Sequence, residues 1–321
     1  MSFAFVFPGQ GSQSIGMLAA FAQSDPVVRT TFDEASAALG YDLWQLVQEG
    51  PKERLDSTEC TQPAMLAAGV ATWRLWHNRG GADPLMVSGH SLGEFTAFVC
   101  AGAIDFATAI DLVRFRGQVM QEAVPVGEGA MAAILGLEDA DVEQACRDAA
   151  SGEVVEAANF NSPGQVVIAG QTAAVQRAIE AAKARGATKA IALPISVPSH
   201  SSLMRGAGER LSERLASIEI RPPRIRCLSP VDVSTQEQPE QIRAHLGQQL
   251  SRPVQWWATV RAIAKAGVGQ MIECGPGKKL TALNRRIEKR PGLEFLALED
   301  TASFDSALTA TQAATEGVTH A

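Results

Sequence analysis

One stretch decides the fold of this 321-residue chain: Leu85-Met86-Val87-Ser88-Gly89-His90-Ser91-Leu92-Gly93. Leu85–Ser88 is a short apolar run typical of a buried strand, and Glu94–Ala101 has the composition of a helix. Gly89–Gly93 between them fits Gly-x-Ser-x-Gly, in which the glycines allow a tight turn and leave the serine exposed. The sequence therefore predicts a strand, a turn and a helix, with Ser91 at the start of the helix as a candidate nucleophile.

Strand and helix patterns alternate on both sides of this turn. Phe3–Phe7 is an apolar run that stops at Pro8, too short for a membrane span and without the basic region of a signal peptide. We expect it to be the first strand of a cytoplasmic protein. Asp105–Gln121 is a helical pattern and Met271–Cys274 is strand-like, whereas residues from about Ala302 onward are small and polar and are expected to contribute little. The alternation indicates an α/β fold.

The middle of the chain follows a different pattern. Strand-like and helix-like segments there have the order β-α-β-β-α-β, which is typical of a ferredoxin-like fold. The segments are Met131–Leu135, Asp139–Ala150, Val154–Phe160, Val166–Gly170, Thr172–Arg185 and Lys189–Leu193. The sequence thus predicts a ferredoxin-like subdomain over 127–196, inserted into a larger α/β domain made of 1–126 and 197–321.

Composition excludes several classes of protein. A formal net charge of −7 argues against a general nucleic-acid binder. Five scattered cysteines predict neither a disulfide framework nor a zinc site, and we expect them to be small buried side chains in a reducing cytoplasm. They are Cys60, Cys100, Cys146, Cys227 and Cys274.

A serine hydroxyl needs a base to become a nucleophile, so the five histidines are the natural candidates. His320 lies in the C-terminal tail, His77 at a helix end and His245 in a polar helical segment. His90 adjoins Ser91, and in such a turn a neighbouring side chain generally points elsewhere. His200 lies in an irregular stretch where the chain returns from the predicted subdomain, and loops of this kind carry catalytic groups. Elimination therefore favours His200 as the base.

An acid that would orient His200 is not evident. Asp105 and Asp111 lie in the helix after the nucleophile and Asp232 follows the histidine, but none has a convincing context. A main-chain carbonyl could hold the imidazole tautomer equally well.

Two arginines, Arg114 and Arg116, lie on the helix after the nucleophile. Residues two apart do not share a helix face, so one of them can point to the site while the other faces solvent. A guanidinium in an apolar pocket would select a substrate with a free carboxylate. A surface role for both arginines is the alternative.

Two glycine-rich segments look like nucleotide-binding motifs but depart from them. The third glycine of a dinucleotide fingerprint is missing from Gly9-Gln10-Gly11-Ser12-Gln13-Ser14. The first glycine of a P-loop is missing from Gly275-Pro276-Gly277-Lys278-Lys279. We therefore expect no dinucleotide cofactor and no nucleotide hydrolysis. We also expect no other cofactor and no metal. The basic cluster, defined as Lys278, Lys279, Arg285, Arg286, Lys289 and Arg290, is either a solvated helix face or a surface that steers an acidic partner.

Several separated motifs together resemble one enzyme family, the bacterial malonyl-CoA:acyl carrier protein transacylases. The resemblance covers nearly the whole chain, to about Leu298. The motifs that carry it are Phe7-Pro8-Gly9-Gln10-Gly11-Ser12-Gln13, Gly89-His90-Ser91-Leu92-Gly93-Glu94, Arg116-Gly117 with Met120-Gln121, Asn159-Phe160-Asn161-Ser162-Pro163-Gly164-Gln165, Pro198-Ser199-His200, Pro253-Val254-Gln255-Trp256 and Glu273-Cys274-Gly275-Pro276-Gly277. The resemblance implies an α/β-hydrolase-like core with a parallel sheet, a ferredoxin-like insert and a monomer. It also implies malonyl transfer from malonyl-CoA to holo-acyl carrier protein through a seryl ester, for fatty acid biosynthesis.

The resemblance also implies roles for individual residues. Ser91 corresponds to the acylated nucleophile and His200 to its base, with the Gln249 carbonyl orienting the histidine. The main-chain N–H groups of Gln10 and Leu92 correspond to the oxyanion hole. Of the remaining residues, Arg116 corresponds to the malonyl carboxylate clamp and Gln62 to a pocket-lining side chain. On the separate ground of charge, Lys278, Lys279, Arg285 and Arg286 of the basic cluster are candidate docking residues for the carrier.

The sequence departs from the family at Ser229-Pro230, where many relatives have paired asparagines, which puts the polar contacts there in doubt. Ser201 replaces a cysteine of some relatives and should be neutral. Three other functions stay open at this point: a thioesterase or serine hydrolase, a transacylase of a polyketide or malonate-decarboxylating system, and a catalytically inactive binding module. Intact Ser91, His200 and Arg116 argue against the last.

Overall fold

The computed structural model describes residues 2–316. The described residues form ten strands, which are β1 (Phe3–Phe7), β2 (Met86–Gly89), β3 (Gly129–Leu135), β4 (Val155–Ser162), β5 (Gln165–Gln171), β6 (Lys189–Ala192), β7 (Arg226–Leu228), β8 (Thr235–Gln236), β9 (Gln270–Glu273) and β10 (Glu294–Ala297). Their fourteen α-helices are α1 (Ala19–Ser24), α2 (Pro26–Leu39), α3 (Leu43–Glu49), α4 (Lys52–Leu55), α5 (Thr58–Asn78), α6 (Gly93–Cys100), α7 (Phe106–Glu122), α8 (Asp139–Ala149), α9 (Thr172–Ala184), α10 (Arg205–Ala216), α11 (Pro239–Gln248), α12 (Trp256–Lys265), α13 (Lys279–Ile287) and α14 (Thr301–Glu316). Two short 3₁₀ helices span Ser202–Met204 and Gln249–Ser251.

The larger sheet has six strands in the order β10-β9-β1-β2-β7-β8, and the pairs from β10 to β7 are parallel. This confirms the predicted α/β class with a parallel sheet. Phe7 of β1 pairs with Gly89 of β2, so the two neighbouring strands end side by side. The loops that follow them therefore meet at the carboxyl edge of the sheet, where open α/β sheets place their ligands.

Aromatic side chains of β1 form the centre of the core around this sheet. Phe5 packs edge-on against Trp76 of α5, with ring centroids 5.2 Å apart. Phe304 of α14 is fully buried and contacts both Trp76 and Phe21, at 5.8 and 5.5 Å. The expectation that residues beyond Ala302 contribute little is therefore wrong for α14, because a single large side chain among small ones is enough to anchor the helix.

The smaller sheet has four antiparallel strands in the order β4-β5-β3-β6. Helices α8 and α9 bury their apolar faces against it, with Val142 and Cys146 of α8 and Val175 and Ile179 of α9 in one core with Ile168. The element order β3-α8-β4-β5-α9-β6 is the β-α-β-β-α-β order expected for this segment.

The described chain divides into two compact units. One contains residues 2–117, 218–239 and 259–316 with the larger sheet, and the other contains residues 118–217 and 240–258 with the smaller sheet. The second unit thus includes segments on both sides of the predicted 127–196 insert. An independent ferredoxin-like subdomain with those limits stays a prediction.

None of the helices in residues 2–316 is long and apolar enough to cross a membrane. All five cysteines are buried and form no disulfide. Within the described chain, no group of three or more His, Cys, Asp or Glu residues is arranged to hold a metal ion.

Glu273, at the end of β9, caps helix α13 from a fully buried position. Its carboxylate accepts hydrogen bonds from the N–H groups of Leu280 and Thr281, at 3.2 and 2.7 Å. Burial raises the pKa of Glu273 from its ordinary value of 4.5 to about 7, because desolvation of the carboxylate outweighs these hydrogen bonds.

This shift predicts how Glu273 affects stability as pH changes. The folded state holds the proton more tightly than the unfolded state, so the stabilisation is fully present below pH 4.5 and is lost as pH rises through 7. We expect the free energy of unfolding of the wild type, relative to Glu273→Gln, to fall by on the order of 3 kcal/mol over that interval. Urea unfolding of both proteins at several pH values measures the difference, and a difference that stays constant or grows with pH would contradict the prediction.

Candidate active site

Ser91 occupies a turn that requires glycine two residues before it and two residues after it. Its φ is 52°, in the left-handed region that side chains rarely adopt. A Cβ atom at Gly89 would lie 2.0 Å from the carbonyl carbon and oxygen of Gly93, and one at Gly93 would lie 2.1 Å from the carbonyl oxygen of Phe7. Both glycines are therefore required for β2 to turn into α6 this sharply, which is the structural context that the Gly-x-Ser-x-Gly spacing predicts.

Two main-chain donors named from the sequence lie in loops that touch each other. Leu92 is the N-cap residue of α6, next to Ser91. A Cβ atom at Gly9, in the loop after β1, would lie 2.5 Å from the carbonyl oxygen of His90 and 3.8 Å from the nitrogen of Leu92. This close approach brings the loop of Gln10 against the turn of Leu92, where the start of a helix favours negative charge.

Arg116 of α7 is buried, with 1% of its surface exposed, and it contacts the predicted nucleophile. Its Nη2 donates to Ser91 Oγ at 3.3 Å and its Nη1 donates to Oε1 of buried Gln62 at 2.7 Å. The guanidinium also lies over the ring of Phe95, 5.3 Å from the centroid. The structure thus brings Ser91, Arg116 and Gln62 together.

Arg114 lies two residues earlier on α7 and points elsewhere. Its Nη2 donates to Asp111 at 2.6 Å and its Nη1 donates to the carbonyl of Leu39 at 3.3 Å. The half-buried Arg114 therefore links α7 to α2 rather than facing solvent. Arg116, on another face of α7, is the arginine beside Ser91.

Burial lowers the pKa of Arg116 from 12.5 to about 9, while the negative charge of Glu94 acts in the opposite direction. Because this pKa stays above neutrality, Arg116 is a cation at pH 7. A desolvated cation beside a serine attracts an anion, and its planar fork matches a carboxylate.

His200 belongs to the second unit, whereas Ser91 belongs to the first. It is buried, its φ is 63°, and its N–H donates to the carbonyl of Leu250 at 2.8 Å. Its Nδ1 lies 3.0 Å from the carbonyl oxygen of Gln249 and 3.1 Å from that of Arg252. Carbonyls only accept, so Nδ1 carries the proton and Nε2 of the neutral ring keeps its lone pair, the form that a general base requires.

The three acids considered from the sequence are engaged in local contacts. Asp105 accepts from the N–H of Thr108 at the start of α7 at 3.0 Å, and Asp111 pairs with Arg114. Asp232 accepts from the N–H of Ser234 at 3.1 Å. The carbonyl of Arg252, which was not foreseen, shares Nδ1 with that of Gln249, and no sequence signal could reveal it because every residue has a carbonyl.

The remaining histidines and the unusual serines also have defined places. His77 Nε2 lies 2.9 Å from Asp83, His245 lies on α11, and His320 lies outside the described residues. Buried Ser229 accepts from the N–H of Val231 through Oγ at 3.3 Å and thus supports its own turn. Ser201 donates to the carbonyl of Pro198 at 2.7 Å.

The basic cluster lies exposed on α13 and the residues around it. Part of its charge is already engaged: Lys278 pairs with Glu299 at 2.9 Å, and Arg285 donates to the carbonyl of Phe295 at 2.9 Å. Lys279 donates to the carbonyl of Gly11.

A serine in a sharp strand-to-helix turn, with main-chain donors beside it and a buried arginine on its hydroxyl, defines a class of enzymes that move acyl groups through a seryl ester. Comparison with known families agrees, because the acyl transferase domain family matches residues 4–293. The malonyl CoA-acyl carrier protein transacylase of Escherichia coli K12 is 56% identical over 285 residues, which cover 89% of this chain and 92% of that protein. That of Bacillus subtilis 168 is 40% identical over 307 residues, covering 95% and 96%.

Solved structures give the same result. The transacylase of Coxiella burnetii superposes with a TM-score of 0.94 at 50% identity, covering 96% of this chain and 97% of that one. A malonyl-transacylase in complex with its type II polyketide acyl-carrier protein has a TM-score of 0.95 at 52% identity, covering 97% and 100%. The chain belongs to the malonyl CoA-acyl carrier protein transacylases of the acyl transferase family.

Proposed function

We propose that this chain transfers a malonyl group from malonyl-CoA to the phosphopantetheine thiol of acyl carrier protein, supplying extender units for fatty acid biosynthesis. The observation that carries the proposal is the buried Arg116 cation, which donates to Ser91 Oγ at 3.3 Å. An arginine placed there suits an acyl group that ends in a carboxylate. The proposal includes a monomer that acts in the cytoplasm without a cofactor.

In the first half-reaction Ser91 Oγ attacks the thioester carbonyl while His200 Nε2 takes its proton. The N–H groups of Gln10 and Leu92 stabilise the oxyanion of the tetrahedral intermediate. The C–S bond then breaks, the proton passes from His200 to the departing thiolate, and CoA leaves. The carbonyls of Gln249 and Arg252 support this role because they hold the proton on Nδ1.

In the second half-reaction the carrier thiol gives its proton to His200 and attacks the malonyl-Ser91 ester. The C–O bond breaks and Ser91 regains a proton from His200, so the enzyme returns to its starting state. Throughout, Arg116 holds the malonyl carboxylate, and Gln62 fixes the guanidinium through its 2.7 Å hydrogen bond.

Replacing Arg116 tests the carboxylate clamp. Arg116→Ala is expected to lower kcat/KM for malonyl-CoA by about two to three orders of magnitude, since a buried carboxylate loses its ion pair. Acetyl-CoA has no carboxylate and should be affected far less, so the malonyl-to-acetyl ratio falls. Arg114→Ala is the matched control on the same helix and should leave this ratio unchanged. Full malonyl preference in Arg116→Ala would show that the clamp is assigned wrongly.

The basic cluster is the proposed docking surface for the carrier, which requires an acidic partner. We expect Arg286→Glu to raise KM for the carrier about tenfold and to leave KM for malonyl-CoA within twofold, because a rim charge acts on association. Steady-state kinetics with each substrate varied in turn measures both constants. An unchanged KM for the carrier would place the docking surface elsewhere.

A second candidate is service to a polyketide carrier, which the complex of a 52% identical transacylase with a polyketide carrier favours. The chemistry is the same and only the acceptor differs. Comparing kcat/KM for fatty-acid and polyketide carriers from one organism decides between them.

The transfer itself is tested by incubating the protein with malonyl-CoA, with and without holo-acyl carrier protein. The proposal predicts malonyl-carrier as the main product and little free malonate without the carrier. Rapid carrier-independent release of malonate would instead identify a hydrolase on the same serine turn.

A further inference from the structure

The backbone around His200 needs support from its surroundings. His200 adopts φ 63° although it has a Cβ atom, and such conformations persist only where neighbouring groups fix them. On one side of this loop lies a cavity of about 360 Å³, lined by His200, Phe160, Pro253 and Gln255 among others. Because side chains do not fill this space, packing alone does not hold the loop there.

A carboxylate from the smaller sheet binds the chain immediately after His200. Oε2 of Glu156 accepts from the N–H of Ser202 at 2.7 Å, and Oε1 accepts from its hydroxyl at 2.8 Å. Ser202 begins the 3₁₀ helix Ser202–Met204, two residues beyond the imidazole. Two charge-assisted hydrogen bonds to one residue fix its position and its direction.

The glutamate is itself held rigidly. Glu156 pairs with Ala169 in the β4–β5 ladder, and its neighbour Val155 lies in the core beneath the sheet. Both Glu156 and His200 line the same cavity, so the carboxylate reaches the loop from the side that faces this space. A bond from a strand to a loop transmits the fixed position of the sheet to the imidazole.

We propose that Glu156, acting through Ser202, is a positioning residue that holds His200 Nδ1 against the carbonyls of Gln249 and Arg252. This inference rests on the proposed role of His200 as the base. Glu156 donates no proton and contacts no substrate. Its effect is to keep one tautomer and one ring orientation, and small misplacements of a catalytic group lower rates strongly.

The kinetic test replaces Glu156 and Ser202 in turn. Glu156→Ala is expected to lower kcat for malonyl transfer about tenfold and to leave KM for malonyl-CoA within twofold. Ser202→Ala, which keeps the carboxylate and the N–H bond, should cost about threefold, and Ser202→Thr should restore the rate because its hydroxyl remains. Glu153→Ala is the control: Glu153 precedes the same strand and pairs with Arg177 at 2.8 Å, so its loss removes a carboxylate without touching the loop.

A direct readout is the nitrogen spectrum of protein labelled with ¹⁵N-histidine, with the His200 signals assigned from His200→Ala. The wild type and Glu153→Ala should show the Nδ1–H tautomer at His200, and Glu156→Ala should show a mixture of tautomers. A wild-type tautomer and a wild-type kcat in Glu156→Ala would overturn the proposal, as would a loss of rate that Ser202→Thr shares with Ser202→Ala. Failure of the proposed function would appear separately, as a wild-type protein that forms no malonyl-carrier. The tautomer comparison would still report on the contact between Glu156 and Ser202.

Discussion

Ser91→Ala is expected to lower the rate of malonyl transfer by on the order of 10⁵- to 10⁶-fold, because no other group in the turn can form the acyl ester. The substitution keeps the Cβ atom, so the left-handed turn and the contacts of Gly89 and Gly93 are unchanged. Stopped-flow or quench measurement of CoA release in a single turnover gives the rate directly.

The control for this variant lies on the preceding strand. Ser88 is buried and donates to the carbonyl of Leu228 at 2.7 Å. Ser88→Ala should therefore reduce the free energy of unfolding by about 1 kcal/mol and leave the transfer rate unchanged. Residual transfer by Ser91→Ala within tenfold of the wild type would mean that the acyl group is carried elsewhere.

His200→Ala is expected to slow acylation of Ser91 by about 10²- to 10⁴-fold, since the hydroxyl then lacks its base. We expect Ser91 and His200 to act together as nucleophile and base, so the Ser91→Ala/His200→Ala double variant should be no slower than Ser91→Ala alone. Single-turnover rates of the three variants measure this non-additivity.

His77→Ala supplies the comparison for the histidine, because the His77 ring, like that of His200, has Nδ1 beside a main-chain carbonyl, that of Trp73 at 2.9 Å, while its Nε2 lies 2.9 Å from Asp83. It should acylate at the wild-type rate. If His200→Ala acylated as fast as His77→Ala, His200 would not be the base.

Local chemistry explains why much of the fold and site could be predicted from sequence. The turn at Ser91 requires glycine at Gly89 and Gly93 for steric reasons, so the spacing itself carries the geometry. Strand and helix periodicity located β1, β2 and the elements of the smaller sheet to within a few residues. Residues two apart on a helix point in different directions, so the sequence predicts different environments for Arg114 and Arg116 on α7. Which of the two arginines binds the carboxylate was indicated only by the resemblance to a family.

Contacts that depend on the tertiary fold could not be predicted in this way. The carbonyl of Arg252 reaches His200 Nδ1 through the path of the main chain, which leaves no trace in residue type. Glu156 and Ser202 are 46 positions apart and meet only because of the place of β4 in its sheet. Phe304 looked unimportant among small neighbours, yet it anchors α14 through contacts with Trp76 and Phe21.

We propose that Ser91 carries the malonyl group between two thiols. The most direct measurement is intact-mass analysis after exposure to malonyl-CoA, followed by peptide mapping of the adduct and a chase with holo-acyl carrier protein. We expect one malonyl group on Ser91, absent in Ser91→Ala and transferred to the carrier in the chase. An adduct that persists in Ser91→Ala, maps to another residue, or leaves as free malonate rather than on the carrier would contradict it.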